Sequence, residues 1–157
     1  MEDAAVIDIK GYKVLLSACD VERVMSHKWY RIGNTRNNHY YFAYKSNYKD
    51  IRLHRFIVNC PEGMQVDHIN NNTLDNRRSN LRVCTIPENS RNCKKYRNNT
   101  SGFKGVSWNV RIKKWQAYIS IGGSKNKNLG CYNTPEEAYK AYCEASKKYH
   151  GEFGRVS

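Results

Sequence analysis

The sequence predicts an α+β protein built as two modules, and three features predict it. Short runs of alternating apolar and polar residues fill the first 50 positions. A polar stretch rich in Asp, His and Asn then lies between two short apolar runs and a helix start. Beyond residue 99, three alternating runs precede a segment with helical periodicity. The expected layout is a first domain over 1–98, with a β-rich part at 1–50 and a strand–strand–helix core at about 51–93. A second domain over 99–157 is a small three-stranded antiparallel sheet packed on one helix.

Each element follows from local pattern. Val6-Ile7-Asp8-Ile9 alternates, and Tyr12 to Leu16 continues after a turn at Gly11. Asp20 is an N-cap candidate for a short helix carrying Val21, Val24 and Met25 on one stripe. Trp29 to Ile32 and His39 to Lys45 are strands around a polar turn, Gly33 to Asn38. His27 and His39 have no partners at ligand spacing. Arg52 to Val58 leads into the polar stretch, and Pro61 to Met64 is a turn. Gln65 to His68 is the next strand. Asn70 to Asn72 and Asp75 to Arg78 are too polar for a core, so a loop is expected there. Leu81 to Thr85 is the second strand of the unit, and Pro87 suits the first turn of a helix.

The charge restricts the partners. Lys and Arg number 27 against 14 Asp and Glu, a net +13, which calls for a polyanion or an anionic surface. No apolar run approaches the length of a membrane span, and Met1-Glu2-Asp3 lacks the start of a secretory signal. The six cysteines at 19, 60, 84, 93, 131 and 143 include no Cys-x-x-Cys pair, so structural zinc is not expected. Reduced thiols in an intracellular protein are the better reading.

The polar stretch carries the chemistry. Asp67 and His68 are adjacent, and Asn80 and Asn89 follow the His by 12 and 21 positions. Asp67 can hold a hard divalent cation through oxygen. His68, ordinarily titrating at about 6.5, can take a proton from water. Asn89 offers a neutral carbonyl oxygen as a second ligand. The blocks Leu53-His54-Arg55, Asp67-His68-Ile69-Asn70, Asp75-Asn76, Ser79-Asn80-Leu81-Arg82 and Glu88-Asn89 resemble an HNH endonuclease, closest to the subgroup of phage and intron homing enzymes. The resemblance implies a ββα-metal fold with His68 as general base, Asp67 and Asn89 as metal ligands, and Mg²⁺, or else Mn²⁺, as the ion. It gives Asn80 a supporting role, bonding backbone across the loop. Of Asn89 and Asn92, family spacing favours Asn89. His54, 14 positions before His68, is read as structural support in preference to an auxiliary ligand.

From Asn89 to Pro135 there is no acid against ten Lys or Arg. Lys94 to Gly102 is a basic, turn-rich linker. Strands are expected at Lys104 to Val110, Lys114 to Ile121 and Lys127 to Tyr132, the second with Trp115, Ala117, Ile119 and Ile121 on its packed face. Thr134-Pro135-Glu136-Glu137 is a capping box for a helix with Ala138, Ala141, Tyr142, Ala145 and Tyr149 on one stripe, stopped by Gly151. The blocks Ser101 to Val106, Lys114 to Ala117, Leu129-Gly130 and Thr134 to Ala138 resemble an AP2 domain. The resemblance implies that Lys104, Ser107, Asn109, Arg111, Lys113, Gln116, Tyr118, Ser120 and Asn128 face DNA. Arginines and a tryptophan of the plant pattern are missing, so sequence preference does not transfer. The expected partner is double-stranded DNA, with no membrane and a monomer favoured. A non-catalytic DNA-binding regulator and an RNA-binding or RNA-cutting protein are the rivals.

Overall fold

The computed structural model describes residues 3–33, 39–95, 98–122 and 125–156. The turns expected at 34–38 and 123–124 and part of the 94–102 linker lie outside the described residues. The chain divides into two compact units, Met1–Ile86 and Pro87–Ser157. The architecture is α+β, as the alternating and helical periods predict.

In the first unit, β1 (Ala4–Ile9) and β2 (Tyr12–Ser17) form an antiparallel hairpin whose turn closes where Asp8 accepts from the Gly11 N–H. A 3₁₀ turn over Ala18–Asp20 leads into α1 (Val21–Met25). Asp20 does not cap that helix as expected. It is buried and accepts from Arg78 at 2.7 and 2.8 Å and from Arg23 at 3.1 Å. A carboxylate this dry needs cationic partners, and two outcompete one backbone N–H. The strands β3 (Tyr30–Ile32), β4 (Tyr41–Ser46) and β5 (Lys49–Arg52) form an antiparallel sheet, and α2 (Leu53–Ile57) starts directly from its edge. Leu16, Val24, Trp29, Phe42, Leu53 and Ile57 anchor the core. Each such side chain is worth about 1.5–3 kcal/mol of burial.

The polar stretch follows. Its first strand is β6 (Gln65–His68), and Asp75–Asn76, expected in a loop, is instead a two-residue strand, β7. It pairs parallel with β2, Leu15 against Asp75 and Leu16 against Asn76, and both its side chains are buried. Polarity did not exclude them from the interior because Asp75 has Arg77 and Asn70 as partners and Asn76 has Thr73. β8 (Leu81–Cys84) then pairs with β6, and α3 (Ile86–Arg91) follows.

The second unit has β9 (Val106–Asn109), β10 (Lys114–Gly122) and β11 (Lys125–Tyr132) in the order β11-β10-β9, all antiparallel. The helix α4 (Pro135–His150) packs on one face through Ala138, Tyr142 and Ala145, against Val106, Ala117 and Ile119. Its capping box is formed, with Thr134 Oγ1 accepting from Glu137 N and Glu137 Oε2 from Thr134 N. Ile121, expected on the packed face, is exposed. Two register shifts in the β10–β11 pairing, after Ala117 and after Ser120, break the alternation before it. None of the six cysteines is in a disulfide.

β9 starts at Val106, two residues later than expected, because Gly105 has φ +74°. A Cβ there would stand 2.2 Å from the Tyr142 ring and 2.8 Å from the Tyr118 carbonyl. Gly105→Ala is therefore expected to destabilise the protein by roughly 2–4 kcal/mol, from overpacking and a strained φ together. Thermal unfolding measures it. An unchanged melting temperature would show that Tyr142 moves aside at no cost.

Candidate functional site

β6 and β8 set the site. Their register places Asp67 opposite Arg82 and His68 opposite Leu81, at the end of the ladder where the Asn-rich loop begins. Both Asp67 and His68 are buried. Arg82 donates from Nε at 2.9 Å and Nη2 at 2.6 Å, both to Asp67 Oδ2, so the carboxylate is held from one side by a guanidinium fork.

The loop that follows is rigid through its own polar groups. Asn80 Nδ2 donates to Asp75 O at 2.8 Å and Asn70 Oδ1 at 3.0 Å, while Asn80 Oδ1 accepts from Asn70 N at 3.0 Å. Asn70 and Asn72 each accept from a backbone N–H two residues on, the Asx turns that make asparagine a loop residue. Asn80 is thus the cross-brace of the loop.

Asn76 does a different job, and the sequence reading missed it. Its Nδ2 donates to the Thr73 carbonyl at 3.1 Å, which turns Oδ1 towards His68 Nε2 at 3.3 Å. An amide oxygen only accepts, so the pairing assigns the proton to Nε2 and a lone pair to Nδ1. Burial pulls the His68 pKa below the ordinary imidazole value, with Asn76, Asp67 and Asp75 opposing. The ring therefore stays neutral and basic at Nδ1 under ordinary conditions. Asn76 belongs to the Asp75-Asn76 block of the motif, and that membership was the available signal.

His54 lies behind His68, with ring centroids 5.4 Å apart, and Tyr41 stands beside both at 5.4 and 6.4 Å. Burial, then the neighbouring His68, Arg52 and Arg55, pushes the His54 pKa down to about 3. It is a neutral packing partner of His68. Among the described residues no three His, Cys, Asp or Glu side chains converge as a metal cluster. The donor this unit offers is the Asp67 carboxylate, with one face held by Arg82. A carboxylate is a hard oxygen ligand, which suits an ion such as Mg²⁺ that keeps several of its waters.

Asn89 lies on α3, in the second unit. In that unit Ser107, Asn109, Gln116, Tyr118, Ser120 and Asn128 share the sheet face opposite α4, by the pairings Ser107 with Gln116, Asn109 with Lys114 and Tyr118 with Asn128. Arg111 and Lys113 are exposed at the β9–β10 turn. Asn109 Nδ2 donates to Gln116 Oε1 at 3.2 Å, which turns the Gln116 amide nitrogen outward as a donor. Lys104 departs from the expectation. It precedes β9, and its ammonium donates to Arg91 O at 2.7 Å and Cys93 O at 2.9 Å, closing the carbonyl end of α3. Desolvation lowers its pKa.

Comparison with known proteins accords with this geometry. A family model described as HNH endonuclease matches residues 59–91, and one described as AP2 domain matches residues 101–152. "Protein 3.8" of Escherichia phage T7 is 33% identical over 118 residues, 72% of this chain and 96% of that protein. "Uncharacterized HNH endonuclease L560" of Acanthamoeba polyphaga mimivirus is 31% identical over 140 residues, 83% of this chain and 66% of that one. No solved structure matches the chain, and no described helix is long and apolar enough to cross a membrane. The chain belongs to the HNH endonucleases and carries an AP2 domain behind the nuclease motif.

Proposed function

We propose that the protein is a metal-dependent endonuclease of double-stranded DNA, aimed at its substrate by the AP2 domain. The observation that carries this reading is the neutral His68, its tautomer fixed by Asn76, next to the Arg82-held carboxylate of Asp67. His68 Nδ1 takes the proton from the attacking water. Arg82 orients Asp67, and the Asn80 brace keeps the loop from drifting away from β6. Asp67 and Asn89 are the oxygen donors assigned to one Mg²⁺ or Mn²⁺. When bound, that ion supplies charge stabilisation at the phosphate and the leaving 3′ oxygen. The products are a 5′-phosphate and a 3′-hydroxyl. The exposed sheet face of the AP2 domain reads base edges, since a sheet can enter the major groove.

Plasmid DNA tests this. Wild-type protein is expected to nick or linearise it with Mg²⁺ or Mn²⁺ and to stop on addition of EDTA. Asp67→Ala loses cleavage with either ion, because it removes the charged donor. Asn89→Ala loses it in Mg²⁺ and recovers part at higher Mn²⁺. Binding without cutting under every metal condition would make the protein a regulator, and cutting in EDTA would remove the metal from the mechanism.

A further inference from the structure

The arginines of the first unit divide into two classes. Arg23, Arg31, Arg55, Arg77, Arg78 and Arg82 each donate to protein oxygens: main-chain carbonyls, the Tyr12 hydroxyl, or the carboxylates of Asp20, Asp67 and Asp75. Arg52 is the exception among the described residues of that unit. Its guanidinium is exposed, makes no hydrogen bond or ion pair with any described residue, and lies over the Tyr41 ring, 5.9 Å from the centroid. The carboxylate nearest in sequence, Asp50, is taken by the Tyr30 hydroxyl.

Position gives this guanidinium a purpose. Arg52 is the last residue of β5, and the His54 two residues on packs against His68. Tyr41 connects the pieces, with one ring contact to Arg52, one to His54 and one to His68. The positive field of Arg52 reaches His54 and Tyr41, and the opposing negative field of Asp67 reaches Tyr41 as well. An exposed guanidinium with all its donors available is a fork for a phosphodiester, and the aromatic ring under it fixes its direction. Folding alone gives no reason to hold it there, since none of the described residues offers it an acceptor.

We propose that Arg52, steered by Tyr41, is a phosphate-binding residue of the nuclease unit, gripping the backbone of the strand whose phosphodiester faces His68. The proposal rests on the nuclease reading for its consequence in cleavage, but not for the phosphate contact itself. Two N–H groups of Arg52 donate to non-bridging oxygens of one phosphate, which positions the strand independently of its sequence. The AP2 domain then supplies site choice, and Arg52 supplies local register at the cut.

The full-length protein with Arg52→Met and Arg52→Lys provides the test, using a duplex that contains a cleavage site. In EDTA, the slope of log affinity against log salt is expected to fall by about 0.9 for Arg52→Met, one phosphate contact, and to return with Arg52→Lys. At saturating DNA with Mg²⁺, Arg52→Met is expected to cut at least about tenfold slower. Arg52→Lys recovers part of that rate, because it keeps the charge and loses the fork. The melting temperature stays at the wild-type value in both. An unchanged salt slope overturns the phosphate contact. A reduced slope with a wild-type cutting rate overturns its placement at the cut. Loss of activity together with a lower melting temperature, not relieved by Lys, makes Arg52 structural and overturns the proposal. If wild-type protein does not cut at all, the nuclease reading fails and the salt slope alone decides whether Arg52 holds phosphate.

Discussion

His68→Ala is expected to lower the cleavage rate by about 10²–10⁴ while DNA affinity changes by less than about threefold. Loss of a general base has that magnitude, and a neutral imidazole contributes little to phosphate binding. Asn76 makes the prediction sharper. It holds the proton on His68 Nε2, so Asn76→Ala lets the ring sample the wrong tautomer and rotate. That variant is expected to lose less rate than His68→Ala. With His68 already removed, replacing Asn76 as well is expected to cost no further rate, because the two act through one group. Asn76 is buried, so melting temperatures accompany the kinetics. A His68→Ala protein that cuts near the wild-type rate rules out His68 as base. Additive rate losses in the double variant would show that Asn76 acts elsewhere.

What could be read from the sequence was whatever depends on near neighbours in the chain. The alternation of Gln65 to His68 placed Asp67 and His68 at the end of one strand. The Thr134-Pro135-Glu136-Glu137 pattern fixed the start of α4 because both capping bonds form within four residues. The alternation along β10 put Gln116, Tyr118 and Ser120 on one face and failed only at Ile121, where a bulge intervenes. The misreadings share a different cause. Asp20 is buried through Arg78, 58 positions away. Asp75 and Asn76 pair with β2 from the far end of the first unit. Lys104 binds carbonyls 11 and 13 positions back. In each case a polar residue found a partner distant in the chain, by side chain for Asp20 and Lys104 and by backbone pairing for Asp75 and Asn76, and composition assigns polar residues to loops or ligands by default. The same blindness hid Arg52, since an unengaged guanidinium is visible only once the partners of the other arginines are known.

Removal of residues 100–157 is expected to abolish both tight DNA binding and cleavage. Binding goes first, for reasons of charge. Ten cations lie between Asn89 and Pro135. Lys104 is committed to carbonyls, Lys95 to Gly102 O and Lys127 to the Tyr149 hydroxyl. Arg111, Lys113, Lys114 and Lys125 are exposed around the reading face. Four phosphate contacts give a slope of log affinity against log salt of roughly −3 to −4 for this domain. The truncated chain is expected to lose that much slope, and with it most of its affinity at physiological salt. Cleavage goes for a separate reason. α3, which carries Asn89, belongs to the second compact unit, and Lys104 closes its carbonyl end. A helix of six residues is marginal alone, so it frays when that support is removed. Low salt is therefore expected not to rescue nicking by the truncated chain. Lys104→Met in the full-length protein separates the two effects, because it leaves the reading face and its four cations in place. It is expected to bind DNA with the wild-type salt slope and to cut about tenfold or more slowly. Efficient nicking by the truncated chain at low salt would show that α3 holds its fold without the AP2 domain. A wild-type rate for Lys104→Met would leave charge as the domain's whole contribution.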